Sequence, residues 1–173
     1  MKHLAKILLL VLACVMLLTA CAKKDANPKE FIIDKFSITM TTEYEEYDAS
    51  GFDFAYITER VLVLGIFDSL EDIEDLGFTK GAEGTAADYL SFVIERNKMT
   101  ETAKVETRDG LDYFTYDAEA DGTDFRYVAF AFPYDGGFCF VQFSCRTGDF
   151  KKYEADFFTY AKSAHFIVGD PNA

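Results

Sequence analysis

From Phe31 onward, apolar and polar positions alternate in a way that predicts a β-rich domain with a few amphipathic helices. Phe36-Ser37-Ile38-Thr39-Met40 repeats with period two and reads as a strand, as does Phe52–Ile57. Thr58-Glu59-Arg60 closes a hairpin into Val61–Phe67, which is apolar on both faces and should be covered on both. Ser69 is placed to cap a short helix, Leu70–Leu76, with Asp72 three residues on and Gly77 as its stop. Thr85 caps a longer helix, Ala86 to about Asn97, with the stripe Ala86, Leu90, Val93 and Ile94. Lys104–Thr107 reads as a strand, Arg108-Asp109-Gly110 as a turn and Leu111–Ala118 as a strand. Asp121-Gly122 is a hairpin signal leading into Phe125–Phe132. After the turn Pro133–Gly137, Phe138–Cys145 again has two apolar faces. Asp149 stands where it would cap a last helix, Phe150 to about Lys162, with the stripe Phe150, Tyr153, Phe157, Tyr160 and Ala161, and His165–Val168 reads as an edge strand. Central strands with two apolar faces, set between amphipathic helices, predict an α+β fold: an antiparallel sheet with helices on both faces, an α/β/α sandwich.

The first 24 residues read differently. Lys2, His3 and Lys6 precede twelve uncharged residues, Ile7–Leu18, too few for a bilayer span but suited to a secretory signal peptide. Leu18-Thr19-Ala20-Cys21 resembles the lipobox of bacterial lipoproteins. That resemblance implies cleavage before Cys21 and a diacylglyceryl group on its thiol, placing the domain on the outer side of a bacterial membrane. Val11-Leu12-Ala13-Cys14 also ends in Ala-Cys, but a cut there leaves Val15–Leu18 as an apolar stump. The expected organisation is a signal peptide over residues 1–20, a lipidated Cys21 with a tether to Glu30, one domain over 31–169 and a tail over 170–173.

The order of elements also resembles the PsbP-like group. The opening FSITM carries it, with the pair VETRDGLDYFTYDA and DFRYVAFAFPYDGGFCFVQFSC and the closing FKKYEADFFTYAKSAHF. The resemblance spans about Phe31–Val168 and implies the sandwich architecture. It contains no catalytic motif, and fold alone assigns no activity.

Composition narrows the function classes. The 173 residues hold 17 basic and 30 acidic side chains, and half are apolar, too many for a disordered chain. Removing residues 1–20 takes two lysines and no acid, leaving a net of −15. Such a surface does not suit nucleic acid, which needs a basic face. Beyond the leader one histidine remains, His165, and no G-x-S-x-G surrounds a serine, so no catalytic residue, zinc site or cofactor is expected. Cys139 and Cys145 lie six residues apart on one strand face, about 20 Å at 3.3 Å per residue, too far for a disulfide.

Two acidic runs remain: Glu43, Glu45, Glu46 and Asp48, then Asp68, Glu71, Asp72, Glu74 and Asp75. Both read as solvated faces able to guide a basic protein partner. Asp117, Glu119, Asp121 and Asp124 echo a calcium loop, but Val128 stands where the closing glutamate belongs, and the segment reads more simply as an acidic hairpin. The functional expectation is a membrane-anchored binding or protein-interaction module, with a small-ligand or divalent-cation-binding lipoprotein as the alternative.

Overall fold

The structure is a computed structural model and describes residues 27–167. Two antiparallel sheets are present. The larger has seven strands in the order β3 (Glu45–Glu46), β4 (Phe54–Ile57), β5 (Val61–Ser69), β9 (Gly137–Arg146), β8 (Thr123–Tyr134), β7 (Leu111–Ala120) and β6 (Glu106–Arg108). The smaller has three, in the order β1 (Pro28–Ile33), β2 (Phe36–Thr41) and β10 (His165–Phe166). The helices are α1 (Leu70–Asp75), α2 (Ala86–Arg96) and α3 (Phe150–Ser163).

Alternation along the central strands sorts the core into two sides. Val128, Phe130, Cys139, Val141 and Phe143 pack with Phe36, Ile38 and Met40 of β2 and with Phe157, Phe158 and Ala161 of α3. Tyr127, Ala129, Phe138 and Phe140 pack with Ile73 of α1 and Tyr89, Leu90, Val93 and Ile94 of α2. Helices therefore cover both faces of the large sheet, as expected. The layer that holds α3 also holds the second sheet, which the alternation pattern did not separate from the first. β10 closes this small sheet against β2, and beside it the Ser163 hydroxyl bridges the Thr39 backbone, accepting from its N–H at 2.9 Å.

Local signals explain most element ends. Ser69 caps α1, its hydroxyl accepting from the Asp72 N–H at 3.1 Å, and Gly77 takes φ +105° just beyond. Thr85 and Asp88 form a full capping box on α2. Asp121 and Gly122, at φ 49° and 73°, make the tight β7–β8 turn.

Several expectations are corrected. The tether does not run to Glu30, because Pro28–Glu30 already pair with Thr39–Thr41 as β1. β4 starts at Phe54, and Asp53 instead accepts the Phe67 N–H at 2.8 Å. The strand placed at Lys104–Thr107 runs Glu106–Arg108. Asp149 does not cap α3: a 3₁₀ turn, Thr147–Asp149, runs straight into the helix, so Asp149 is already helical and its carboxylate lies 3.6 Å from Arg60 instead. The leader, Cys21, most of the tether and the tail fall outside the described residues.

Cys139 and Cys145 sit on one intact strand, both free and fully buried. Burial pushes both thiols up, Cys145 to about 12, so little reactive thiolate forms. Alkylation in denaturant without reductant is expected to modify both, and alkylation of the native protein neither; mass spectrometry reads the outcome.

Candidate functional site

The first acidic run lies on the loop and short edge strand around β3. Glu43, Glu45, Glu46 and Asp48 are exposed, while Tyr44 between them is buried edge-on against Tyr160 at 5.8 Å. Tyr47 in the same loop is 43% exposed. This run is a solvent-facing acidic edge with an aromatic ring at its centre.

The second run is not one surface. Asp68, expected among solvated acids, is buried, and its carboxylate accepts a hydrogen bond from the Tyr89 hydroxyl. Sequence neighbours placed it in a charged cluster, but it is the penultimate residue of β5, on the face covered by α2. Burial and the Asp68 charge together push the Tyr89 phenol well above its ordinary range. Asp72 is also engaged, accepting from the Ser69 hydroxyl at 2.7 Å. Only Glu71, Glu74 and Asp75 remain as free-standing exposed acids of this run.

The two runs are not brought together. Glu45 aligns through Ile57 with Leu62, and α1 begins eight residues further along at Leu70. At roughly 3.3 Å per residue they stand about 26 Å apart, at opposite ends of β5.

The calcium-loop echo falls on the β7–β8 hairpin. Asp117 accepts two hydrogen bonds from Arg126, at 2.7 and 2.6 Å, and this guanidinium holds its carboxyl below the usual carboxylate range. Glu119 and Asp124 are opposite each other and exposed, and Asp121 sits in the turn. Among the described residues no group of three or more His, Cys, Asp or Glu side chains could hold a metal ion. His165 is exposed, its Nδ1 2.9 Å from the Ser163 carbonyl oxygen.

One arrangement was missed in sequence. The strand registers set Ile57, Leu62, Ser144, Tyr127 and Tyr116 in one row across the large sheet, with Ala55, Leu64, Gln142, Ala129 and Phe114 in the next. Tyr116 donates to the Gln142 side-chain oxygen at 2.9 Å and stacks on Tyr127 at 4.6 Å. The Ser144 hydroxyl is buried with no hydrogen-bond partner among the described residues. Gln142 and Ser144 thus form a polar seam between the core under α2 and a small cluster of Ala55, Leu62 and Leu64. The signal was available: in Phe140-Val141-Gln142-Phe143-Ser144-Cys145, polar residues occupy alternate positions of a strand whose other face is wholly apolar.

Solved structures resemble this fold. The cyanobacterial PsbP protein (CyanoP) of Synechocystis matches with a TM-score of 0.51 at 16% identity, over 86% of this chain and 98% of that one. The fold is PsbP-like. A protein of Bacteroides thetaiotaomicron matches with a TM-score of 0.54 at 15% identity over 84% of this chain, which spans only 50% of that protein. LpqN of Mycobacterium tuberculosis, described as involved in cell envelope biogenesis, is a looser match, with a TM-score of 0.41 at 7% identity, over 84% of this chain and 93% of that one. No protein-family model and no curated protein matches this chain. No helix among its described residues is long and apolar enough to cross a membrane.

Proposed function

We propose that this chain is a bacterial lipoprotein held on the outer side of the membrane by a diacylglyceryl group on Cys21, and that its PsbP-like domain is a binding or protein-interaction module. The observation that carries the reading is the sequence Leu18-Thr19-Ala20-Cys21 after a twelve-residue apolar run, with β1 beginning at Pro28. Six residues, 22–27, would then join the lipid to the fold, a reach of about 20 Å. Two acyl chains hold such a protein stably, where one does not. Replacing Cys21 with Ser is expected to abolish fatty-acid labelling of the protein in cells. Undiminished label in the mutant would refute the anchor.

The acidic edge at Glu43, Glu45, Glu46 and Asp48 is the surface best placed to guide a basic partner, with Tyr47 as an adjacent anchor. Crosslinking on intact cells would capture that partner. Changing the four acids to Gln or Asn is expected to slow its association while leaving thermal stability nearly unchanged, since exposed charges contribute little to the fold. Added salt should mimic the substitution, because it screens such fields over about 8 Å. A captured partner whose on-rate ignores both changes would exclude this edge. The run at Asp68–Asp75 is the poorer candidate, because Asp68 and Asp72 serve the fold.

The polar seam favours a second reading, a small ligand whose polar group is met by Ser144 and Gln142 between apolar walls. A ligand-induced rise in melting temperature that Ser144→Ala removes would support it.

A further inference from the structure

The outer face of the small sheet differs from the rest of the described surface. Phe31, Phe36, Ile38 and Met40 turn inward, so alternation puts Glu30, Ile32, Ser37 and Thr39 on the other side, where Glu30 and Ile32 are exposed, Thr39 is half-buried and Ser37 is covered by its neighbours. His165 pairs with Ser37 and shares that side, and Ile167 lies two residues beyond it, its N–H donating to the Lys35 carbonyl. Of the three exposed large hydrophobic residues among those described, two belong here: Ile32 at 60% and Ile167 at 39% exposure. A single such residue needs no explanation. Two on one three-stranded face, in a chain that buries most of its aromatic rings, form a patch.

Charge sets the face apart again. Among its outward side chains Glu30 is the one carboxylate, and it accepts from the Ser37 hydroxyl at 2.5 Å. Lys29 and Lys35 flank it, with Asp34 in the turn. Elsewhere the acids crowd the β3 edge, α1 and the β7–β8 hairpin, and an anionic bilayer repels those surfaces. The chain also enters the fold on this sheet, at Pro28.

We propose that this is the face the domain lays against the membrane, with Ile32 and Ile167 seated at the headgroup level of an anionic bilayer. The inference rests on the Cys21 anchor proposed above. A tether of about 20 Å makes the contact intramolecular, so a surface too weak to bind lipid unaided suffices to orient an anchored domain.

The chain contains no tryptophan, so one introduced residue reports its own surroundings. The full chain carrying Ile32→Trp, and separately Tyr47→Trp on the acidic edge, would be produced in bacteria and reconstituted into vesicles of phosphatidylglycerol and phosphatidylethanolamine with nitroxide-labelled lipid. Trp at position 32 is expected to shift its emission to the blue and to be quenched severalfold more strongly than Trp at position 47. Adding Ile167→Asp to Ile32→Trp should remove most of that difference, with circular dichroism unchanged. Equal quenching at positions 32 and 47 in protein that floats with the vesicles overturns the orientation and leaves the anchor standing. Protein that does not float overturns the anchor and the orientation with it. A blue shift at position 32 that needs protein concentration but no vesicles overturns the proposal in favour of a second copy covering the face.

Discussion

Truncating Phe130 or Phe140 to Ala is expected to lower the free energy of unfolding by about 3–5 kcal/mol. Phe130 is fully buried in β8, with ring neighbours Phe158 at 5.2 Å, Phe143 at 6.0 Å and Tyr113 at 6.1 Å. Phe140, 1% exposed in β9, meets Tyr89 at 6.3 Å and Phe114 at 6.4 Å. The two rings point to opposite faces of the large sheet, Phe130 toward α3 and β2, Phe140 toward α1 and α2. Each truncation removes the whole ring and leaves a void that neighbours on three sides cannot fill. Urea unfolding with an unchanged slope reads the effect as a shift in midpoint. A loss below about 1 kcal/mol at either position would mean that its face is open rather than covered, against the expectation for a closed core.

Gly137→Ala is expected to cost about 3 kcal/mol, at the upper end for overpacking. Gly137 opens β9 opposite Ser69, and a Cβ built on it would stand 2.0 Å from the Asp68 carbonyl oxygen and 2.9 Å from the Tyr134 hydroxyl. The nearer atom is backbone, so the strand itself must move. That movement would shift Asp68 and disturb its hydrogen bond with Tyr89. Gly136→Ala is a useful neighbour for comparison: it sits at φ 101° with no atom closer than 4.0 Å, so its cost is backbone strain alone. A melting temperature for Gly137→Ala equal to the parent's would show that β5 and β9 stand far enough apart to admit a Cβ at position 137.

Elements defined by neighbours in sequence were legible before any coordinates. The Thr85 cap, the Ser69 cap and the Asp121-Gly122 turn each need only residues within four positions, and each forms as expected. The long two-faced strands were legible for the same reason: alternation is local. Features that depend on distant partners were not. Pro28–Glu30 looked like tether because a short polar stretch gives no sign that Thr39–Thr41 will pair with it. Asp68 looked solvated because nothing near it in sequence announces the Tyr89 hydroxyl, 21 residues away. Tyr89 itself was within reach, since it lies one turn from Ala86 and from Val93 on the helix, but a hydroxyl-bearing ring was not counted into the apolar stripe. The acidic edge kept its expected exposure because a short edge strand adds no cover, whereas the second run was divided by a strand end and a helix cap.

The closure of the small sheet bears on the order in which the chain folds. A growing chain presents β1 and β2 first, and these can form a hairpin at once. Its inner face packs on the large sheet, with Phe36 against Phe54, Phe67 and Phe132, but the rest of its cover comes from α3 and β10, and the bridge from Ser163 to Thr39 spans 124 residues. Loop-closure entropy grows only slowly with length, so the separation costs little in final stability but postpones the contact until the last element has emerged. Phe36, Ile38 and Met40 therefore gain their full cover only once Phe157, Phe158 and Ala161 are in place, and a chain stalled before Phe150 would leave part of that apolar hairpin open to chaperones and proteases.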